Sequence, residues 1–202
     1  MRIKLPAPLT GAGPTEFEFE WVTNVARHVG TVVHEEFERL AVARLPAASA
    51  LSGRDAAWAR RLAELGVGRQ QRAAALARVR RALEETSHDP RGAWVLDPAH
   101  AASASELDLS TLSQGRVESA RIDRTFVDAG GVRWIVDFKT SVHEGTDLEG
   151  FLDRECERYR GQLEHYARLL AALEPGRPIR LGLYFPLHAG WREWAAADAR
   201  SG

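Results

Sequence analysis

A short glycine turn between two segments rich in β-branched and aromatic residues constrains this fold more than any other feature of the sequence. The segments span residues 117–127 and 132–140, and Ala129-Gly130-Gly131 lies between them. Segments of this composition around a glycine turn are typical of a β-hairpin. The second segment begins with apolar residues before it reaches Asp137, which indicates a central strand of a sheet.

The length of the turn decides whether the acidic residues of the two strands meet. Asp123 lies on the first strand and Asp137 on the second. Directly opposed residues of an antiparallel pair point to the same face. A two-residue turn would place Asp123 opposite Phe138, whereas a three-residue turn at Ala129-Gly130-Gly131 places it opposite Asp137. Odd loops with glycine in the left-handed conformation are common, so we predict this register, or an equivalent bulge, and two converging carboxylates.

The lysine that follows Asp137 is unusual in this chain. Lys4 and Lys139 are the only lysines among 27 basic residues, and the rest are arginine. Side chains alternate along a strand, so Asp137 and Lys139 share a face. Lysine can orient or deprotonate a water molecule, whereas arginine does not release a proton in proteins. We therefore favour a catalytic role for Lys139, although an acid and a lysine at this spacing also form simple ion pairs.

The two acids of the hairpin predict a bound cation. Two carboxylates on neighbouring strands repel each other unless a cation lies between them. Carboxylate oxygens with open positions suit Mg²⁺ or Mn²⁺, and such a metal can activate water and neutralise charge that develops on a phosphate. A second interpretation stays open, in which Asp123, Asp137 and Lys139 form a purely structural salt-bridge cluster on the sheet.

Helical periodicity before and after the hairpin defines the rest of the fold. The predicted helices span residues 22–43, 55–65, 69–85 and 147–173. Besides the hairpin, the predicted strands span residues 94–96, 103–109 and 179–185. This order predicts an α/β fold, in which helices flank a mixed central sheet and a helical region precedes it.

The chain length of 202 residues fits one domain. We expect residues 1–15 to form a loose lead-in, residues 16–90 a helical region and residues 91–190 the sheet core with its long helix. The apolar segments are too short to span a bilayer, and the N-terminus lacks the apolar core of a signal peptide. Since Cys156 is the only cysteine, it cannot form an internal disulfide. We therefore expect a cytoplasmic protein without a membrane partner.

The distribution of charge is more informative than the net charge of −1, which does not indicate nucleic-acid binding. Between residues 54 and 81 there are eight arginines and two acids, Asp55 and Glu64. This basic sector can meet phosphates or form a solvated helix surface. For a run of charge alone we favour the solvated surface.

Four motifs make the chain similar to a known nuclease family. Two of them are Ala120-Arg121-Ile122-Asp123-Arg124 and Ile135-Val136-Asp137-Phe138-Lys139-Thr140. They resemble motifs II and III of the RecB-like nucleases of the PD-(D/E)XK superfamily, where the usual residues are Gly and Tyr in place of Ala120 and Phe138. The others are Gly30-Thr31-Val32-Val33-His34 and Tyr159-x-x-Gln162-Leu163-x-x-Tyr166. They resemble the family's Gly-x-x-x-His helix motif and its closing Tyr-x-x-Gln-Leu-x-x-Tyr helix motif.

The resemblance implies a restriction-endonuclease-like core and a metal-dependent deoxyribonuclease, with exonuclease activity favoured over endonuclease activity. It implies that Mg²⁺ or Mn²⁺ binds to His34, Asp123, Asp137 and the backbone carbonyl of Phe138. It also implies that Lys139 positions the attacking water and that Gln162 orients Lys139 or the substrate. A lone histidine on an amphipathic helix is more often a packing residue, so the metal role of His34 depends on the resemblance.

Four further residues are candidates with weaker support. Glu106 matches an acid that precedes the Gly-x-Ile-Asp motif in the family, but Leu107-Asp108 follow it where Pro-Phe is common. It is either an extra acid near the metal or a polar strand residue. Tyr159, Arg124 and Tyr166 are candidate DNA contacts. Tyr159 could act by stacking or through its hydroxyl, and Tyr166 has the more structural character of the two tyrosines.

The resemblance also suggests partners. RecB-like domains often lie at the C-terminal end of UvrD-type helicases, so we expect DNA with a single-stranded end as the substrate. We also expect a helicase domain in the same chain or in a partner chain, acting in DNA repair and recombination. The alternative is a nuclease-like domain without catalytic activity that binds DNA or another subunit.

Overall fold

The computed structural model describes residues 16–43, 47–113, 116–143 and 145–197. The predicted lead-in over residues 1–15 lies outside them. The helices are α1 (Glu16–Val42), α2 (Ala47–Leu51), α3 (Asp55–Glu64), α4 (Arg69–His88), α5 (Pro90–Val95) and α6 (Leu148–Leu173). The strands are β1 (Ala101–Ser113), β2 (Arg116–Val127), β3 (Arg133–Phe138), β4 (Ile179–Phe185) and β5 (Gly190–Ala195).

The five strands form one mixed sheet in the order β1-β2-β3-β4-β5. Strands β3 and β4 are parallel, and α6 connects them in the chain, whereas every other neighbouring pair is antiparallel. A parallel pair needs such a crossover connection, usually a helix. The predicted fold class, a mixed sheet with flanking helices and a preceding helical region, is confirmed.

The register of the β2–β3 hairpin is the predicted one. Arg124 pairs with Val136, and Val127 pairs with Arg133. Continuing this register places Asp123 opposite Asp137. The odd loop depends on Gly131, which has a φ of 81°, a conformation that glycine adopts without steric cost.

Two hydrophobic cores hold the sheet between helical layers. One core joins α1, α3, α4 and α5 to one face of the sheet, through residues such as Val33, Phe37, Leu83 and Phe138. The other core joins α6 to the opposite face, through residues such as Leu163 and Ile135. Because β3 contributes to both cores, it is buried on both faces, as its apolar sequence predicts.

One predicted element needs correction, and two elements were not predicted. Residues 94–96, predicted as a strand, lie at the end of helix α5 or directly after it. Asp89 caps that helix by accepting the N–H groups of Arg91 and Gly92, and Pro90 occupies its first position, where proline is favoured. Strand β5 was not predicted, because the adjacent polar residues Arg192 and Glu193 between its two tryptophans break the two-residue alternation that indicates a strand. The short helix α2 was not predicted either.

Candidate active site

Strand β2 changes the face that it presents at Asp123. Residues two apart on a regular strand point to the same face. However, Ile122 packs in the α6 core, whereas Arg124 reaches the carbonyl oxygen of Val95 on the opposite side of the sheet. The regular alternation of the strand is therefore broken at Asp123, which lies between them.

The neighbouring strand is also irregular at this point. Ser105 pairs with Arg124 and Leu107 pairs with Ile122, so Glu106 lies beside Asp123. Glu106 has a φ of 50°, a left-handed conformation that is unfavourable for a residue other than glycine. Backbone strain of this kind clusters at functional sites. In this case the strained residue is Glu106, whose side chain points toward Asp123 and helix α1.

Helix α1 brings His34 to the same place. The Nδ1 atom of His34 lies 3.6 Å from a carboxylate oxygen of Glu106 and 3.6 Å from one of Asp123. Its Nε2 atom lies 3.2 Å from the carbonyl oxygen of Phe138. One turn earlier on α1, a Cβ atom on Gly30 would lie 3.0 Å from the hydroxyl oxygen of Thr140. The glycine therefore permits the close approach of α1 to the end of β3.

These contacts form a cluster of ligand atoms. His34, Glu106 and Asp123 each offer one atom, and the three atoms lie within 4.8 Å of one another. The structure thus places Glu106 with the predicted metal ligands, rather than as a distant strand residue. The carbonyl oxygen of Phe138 lies at the edge of the cluster because it contacts His34.

Asp137 and Lys139 form an adjacent ion pair. The Nζ atom of Lys139 lies 2.6 Å from Oδ2 of Asp137, and the Asp137 side chain is almost fully buried. The Nε2 atom of Gln162 on α6 donates to Oδ1 of Asp137 at 3.4 Å and to the hydroxyl of Tyr166 at 2.5 Å. Oδ2 of Asp137 is buried, and the Lys139 ammonium group compensates its charge. Gln162 thus contacts the partner of Lys139 rather than Lys139 itself.

Burial of the two aspartates makes their ionisation unfavourable. Burial and the neighbouring Asp137 carboxylate raise the pKa of Asp123 to about 7. Burial also raises the pKa of Asp137, and the charge of Lys139 opposes that increase only in part. Both effects are expected where buried carboxylates lie close together.

The charges around the aspartates change the pKa of their neighbours. Burial disfavours the charged form of His34, but the contact with Glu106 and the charges of Asp123 and Asp137 outweigh burial and raise the pKa of His34. The same contact with His34 holds the pKa of Glu106 below its usual value. Burial opposes the charge on Lys139, but Asp137 outweighs it and raises the pKa of the ammonium group.

This arrangement fits a hard divalent cation. Carboxylates and a backbone carbonyl are the ligands that hard divalent cations prefer in proteins, and the imidazole of His34 adds a nitrogen atom to the set. Oδ2 of Asp137 already contacts the Lys139 ammonium group at 2.6 Å, so His34, Glu106 and Asp123 are the side chains whose ligand atoms converge. Burial raises the pKa of Asp123, which means that the charged carboxylate is disfavoured there and that a neighbouring positive charge would stabilise it.

The cluster lies beside a cleft of about 630 Å³ between α1 and the sheet. Arg27, Arg121, Lys139 and Tyr159 line it together with the acids Glu35, Glu38 and Glu106. Arg27 was not predicted as a residue of the site. Its spacing from Thr31 and His34 could have indicated it, because these positions lie on one face of α1. Arg121 holds Glu106, because its Nε atom lies 2.6 Å from Oε2 of that residue.

The structure contradicts the prediction that Arg124 contacts DNA. Only 1% of Arg124 is exposed. Its guanidinium donates to the carbonyl oxygens of Val95 and Asp97 on the far side of the sheet. Tyr166 is only partly buried, but its hydroxyl accepts a hydrogen bond from Gln162, which agrees with a structural role.

Three arginines of the basic sector of residues 54–81 form ion pairs within the helical region. Arg54 forms an ion pair with Glu36, Arg61 with Glu35, and Arg80 with Asp55. The acidic N-terminal stretch thus neutralises part of the arginine run. These pairs favour the solvated helix surface over a phosphate-binding sector.

A mixed sheet with an irregular hairpin, together with carboxylates and a paired lysine at the end of its central strand, is typical of a class of metal-dependent α/β nuclease folds. The chain belongs to the PD-(D/E)XK nuclease superfamily, whose family model matches residues 15–198. Members of this superfamily are generally metal-dependent nucleases. Among curated proteins, none has a sequence that matches this chain. Within the described residues, no helix combines the length and apolar character that a membrane span requires.

Proposed function

We propose that this chain is a metal-dependent deoxyribonuclease that hydrolyses phosphodiester bonds with Mg²⁺ or Mn²⁺. The observation that carries the proposal is the convergence of His34, Glu106 and Asp123, with ligand atoms within 4.8 Å of one another. The Asp137–Lys139 ion pair lies next to this cluster. Buried acids that surround a cation site beside an ammonium group provide what phosphoryl chemistry needs.

The metal would be held by His34, Asp123, Asp137 and the carbonyl oxygen of Phe138, with Glu106 as a further carboxylate. A bound divalent cation would supply a water of lowered pKa and would neutralise charge on the phosphate. Asp123 contributes a second function, since its Oδ2 atom accepts the backbone N–H of Phe138 at 2.9 Å. That bond fixes the strand segment whose carbonyl oxygen belongs to the site.

Lys139 would act as a cation and hydrogen-bond donor. Its raised pKa keeps the ammonium group protonated near neutral pH, so it orients water or stabilises negative charge on the phosphate rather than removing a proton. Gln162 would hold Asp137, and through it Lys139, in place. Its amide bridges Asp137 and Tyr166.

We propose a single-stranded DNA end as the substrate and exonuclease action as the mode. A cleft of about 630 Å³ has the size of a site that encloses a small ligand, which suits one or two nucleotides of a single strand better than a duplex. Arg27 and Arg121 on the walls of the cleft can contact phosphates. The proposed place in a helicase–nuclease of DNA repair and recombination depends on the resemblance to RecB-like nucleases.

A nuclease-like domain without activity is the second candidate. This candidate requires that the charged residues of the site have a structural role. The contact that favours it is the Asp137–Lys139 ion pair, because such a pair can stabilise the fold without taking part in catalysis. In that case loss of Lys139 would change stability and DNA binding, but no metal-dependent cleavage would be seen in the wild type.

The test is cleavage of end-labelled single-stranded and duplex DNA with Mg²⁺, Mn²⁺ or EDTA. We expect cleavage with either metal, none with EDTA, and a loss of about 10²- to 10³-fold in the Lys139→Ala variant, as for removal of one transition-state donor. Arg177→Ala is the matched control, because Arg177 reaches Gly131 at the opposite end of the β2–β3 hairpin. Absence of metal-dependent cleavage, or equal cleavage by Lys139→Ala, would refute the proposal.

A further inference from the structure

The ammonium group of Lys139, which contacts Asp137 and faces the cleft, also contacts the aromatic ring of Tyr159. Its Nζ atom lies 4.0 Å from the centroid of the Tyr159 ring. Tyr159 is half-buried on α6, one turn before Gln162. A cation within about 6 Å of an aromatic centroid is attracted by the negative face of the ring. The contact thus joins α6 to the side chain that follows β3.

We propose that Tyr159 is a positioning residue that holds the Lys139 ammonium group at the active site through its ring face. Lysine carries its charge on a flexible four-carbon stem, so Asp137 alone leaves the ammonium free to rotate around a single contact. The Tyr159 ring supplies a second, differently placed contact. Together they restrict Lys139 to one orientation toward the cleft.

The same geometry argues against base stacking as the main role of Tyr159. The ring already interacts with Lys139, and the guanidinium of Arg158 lies 5.3 Å from its centroid. A ring that is engaged by two cations is poorly placed to receive a nucleobase. The two roles differ in their kinetic consequences, because loss of a stacking contact weakens DNA binding, whereas loss of lysine positioning slows the chemical step.

The contact can be measured without any nuclease activity. Since Lys4 is the only other lysine, protein labelled with ¹³C-lysine gives two ε-methylene signals, and a Lys4→Arg variant assigns them. In the full chain, we expect the ring current of Tyr159 to shift the Lys139 signal upfield of the Lys4 signal. The shift should persist in Tyr159→Phe, which retains the ring, and disappear in Tyr159→Leu. A Lys139 signal without an upfield shift in the wild type would overturn the inference.

The catalytic part of the inference rests on the proposed nuclease function, so kinetics form the second arm. We expect kcat to fall about tenfold in Tyr159→Leu with KM for DNA unchanged, as loss of a partly buried cation–π contact implies. Tyr159→Phe should retain kcat. A rise in KM with kcat unchanged would support stacking and overturn the positioning role, and so would an equal loss of kcat in Tyr159→Phe.

The two arms separate failure of the contact from failure of the proposed function. An upfield Lys139 signal in a wild type that cleaves no DNA would retain the contact but overturn its catalytic role. If Tyr159→Leu does not fold, as judged by thermal unfolding, Tyr159→Trp replaces it. A tryptophan ring should keep both the upfield shift and kcat, and loss of either in a folded Tyr159→Trp protein would overturn the inference.

Discussion

Replacement of Asp123 by asparagine is expected to stabilise the metal-free protein at neutral and alkaline pH. Asparagine removes the charge but keeps a carbonyl oxygen that can accept the N–H of Phe138, as Oδ2 of Asp123 does. The folded protein raises the pKa of Asp123 from 3.8 to about 7, because of burial and the charge of Asp137. The ionised carboxylate therefore opposes folding.

The direction of the pH dependence follows from the raised pKa. At low pH the carboxyl group is protonated in both the folded and the unfolded chain. As the pH rises above about 4, the unfolded chain loses this proton first, and stability falls until the folded group ionises near pH 7. The difference in pKa is about 3 units, which corresponds to about 4 kcal/mol at most. The amide must also be desolvated, so we expect a net gain of about 2–3 kcal/mol.

Thermal unfolding in EDTA at about pH 5 and about pH 8 measures this effect. We expect the variant to unfold roughly 5–10 °C above the wild type at the higher pH. This difference in unfolding temperature should be smaller at the lower pH. Addition of Mn²⁺ should stabilise the wild type more than the variant, since ligand binding stabilises the folded state. Asp153→Asn is the control, because Asp153 is exposed and its ion pair with Arg192 is a surface pair, whose loss should change stability by no more than about 1 kcal/mol. A variant that is less stable than the wild type at pH 8, or a gap independent of pH, would refute the reasoning.

Two glycine positions give further expectations. Gly30→Ala should lower the Mn²⁺ affinity severalfold in calorimetric titration, because the added Cβ atom would lie 3.0 Å from the Thr140 hydroxyl. It should not lower stability, because alanine favours the helix. Adding Thr140→Ala to the same chain should restore the affinity, and a double variant that still binds weakly would refute this cause. Gly92→Ala should destabilise the protein by about 2–4 kcal/mol in urea unfolding, because its Cβ would lie 2.5 Å from the carbonyl oxygen of Thr86. Gly161→Ala, which meets nothing within 4 Å, is the control and should be neutral or stabilising.

The hairpin and its register could be predicted because they depend on local chemistry. The composition of the strands and the glycine of the turn decide the pairing of Arg124 with Val136. The strand predicted at residues 94–96 shows the opposite case. Asp89 and Pro90 begin the helix, but in the sequence the same residues indicate a turn, and Trp94-Val95-Leu96 has the apolar character of a short strand. A short apolar run cannot distinguish a strand from a buried helix.

The candidate site was predictable only in part, for a physical reason. Motif spacing brings Asp123, Asp137 and Lys139 together through a single hairpin. The place of Glu106 depends instead on a left-handed residue in β1, and the contact between Tyr159 and Lys139 depends on how α6 packs on the sheet. Neither a strained φ nor the packing of a distant helix follows from local sequence preference.

The burial of Arg124 explains how the irregular strand is held in place. The break in alternation at Asp123 turns Arg124 to the face of the helical region, where it donates to the carbonyl oxygens of Val95 and Asp97. Burial lowers the pKa of Arg124 to about 10, so the group remains charged at neutral pH, and charged donors form strong hydrogen bonds. The helical region that carries His34 is thereby tied to the residue next to Asp123. Arg124, which the motif suggested for DNA binding, thus joins strand β2 to the segment at the end of α5, on the face of the sheet against which the helical region packs.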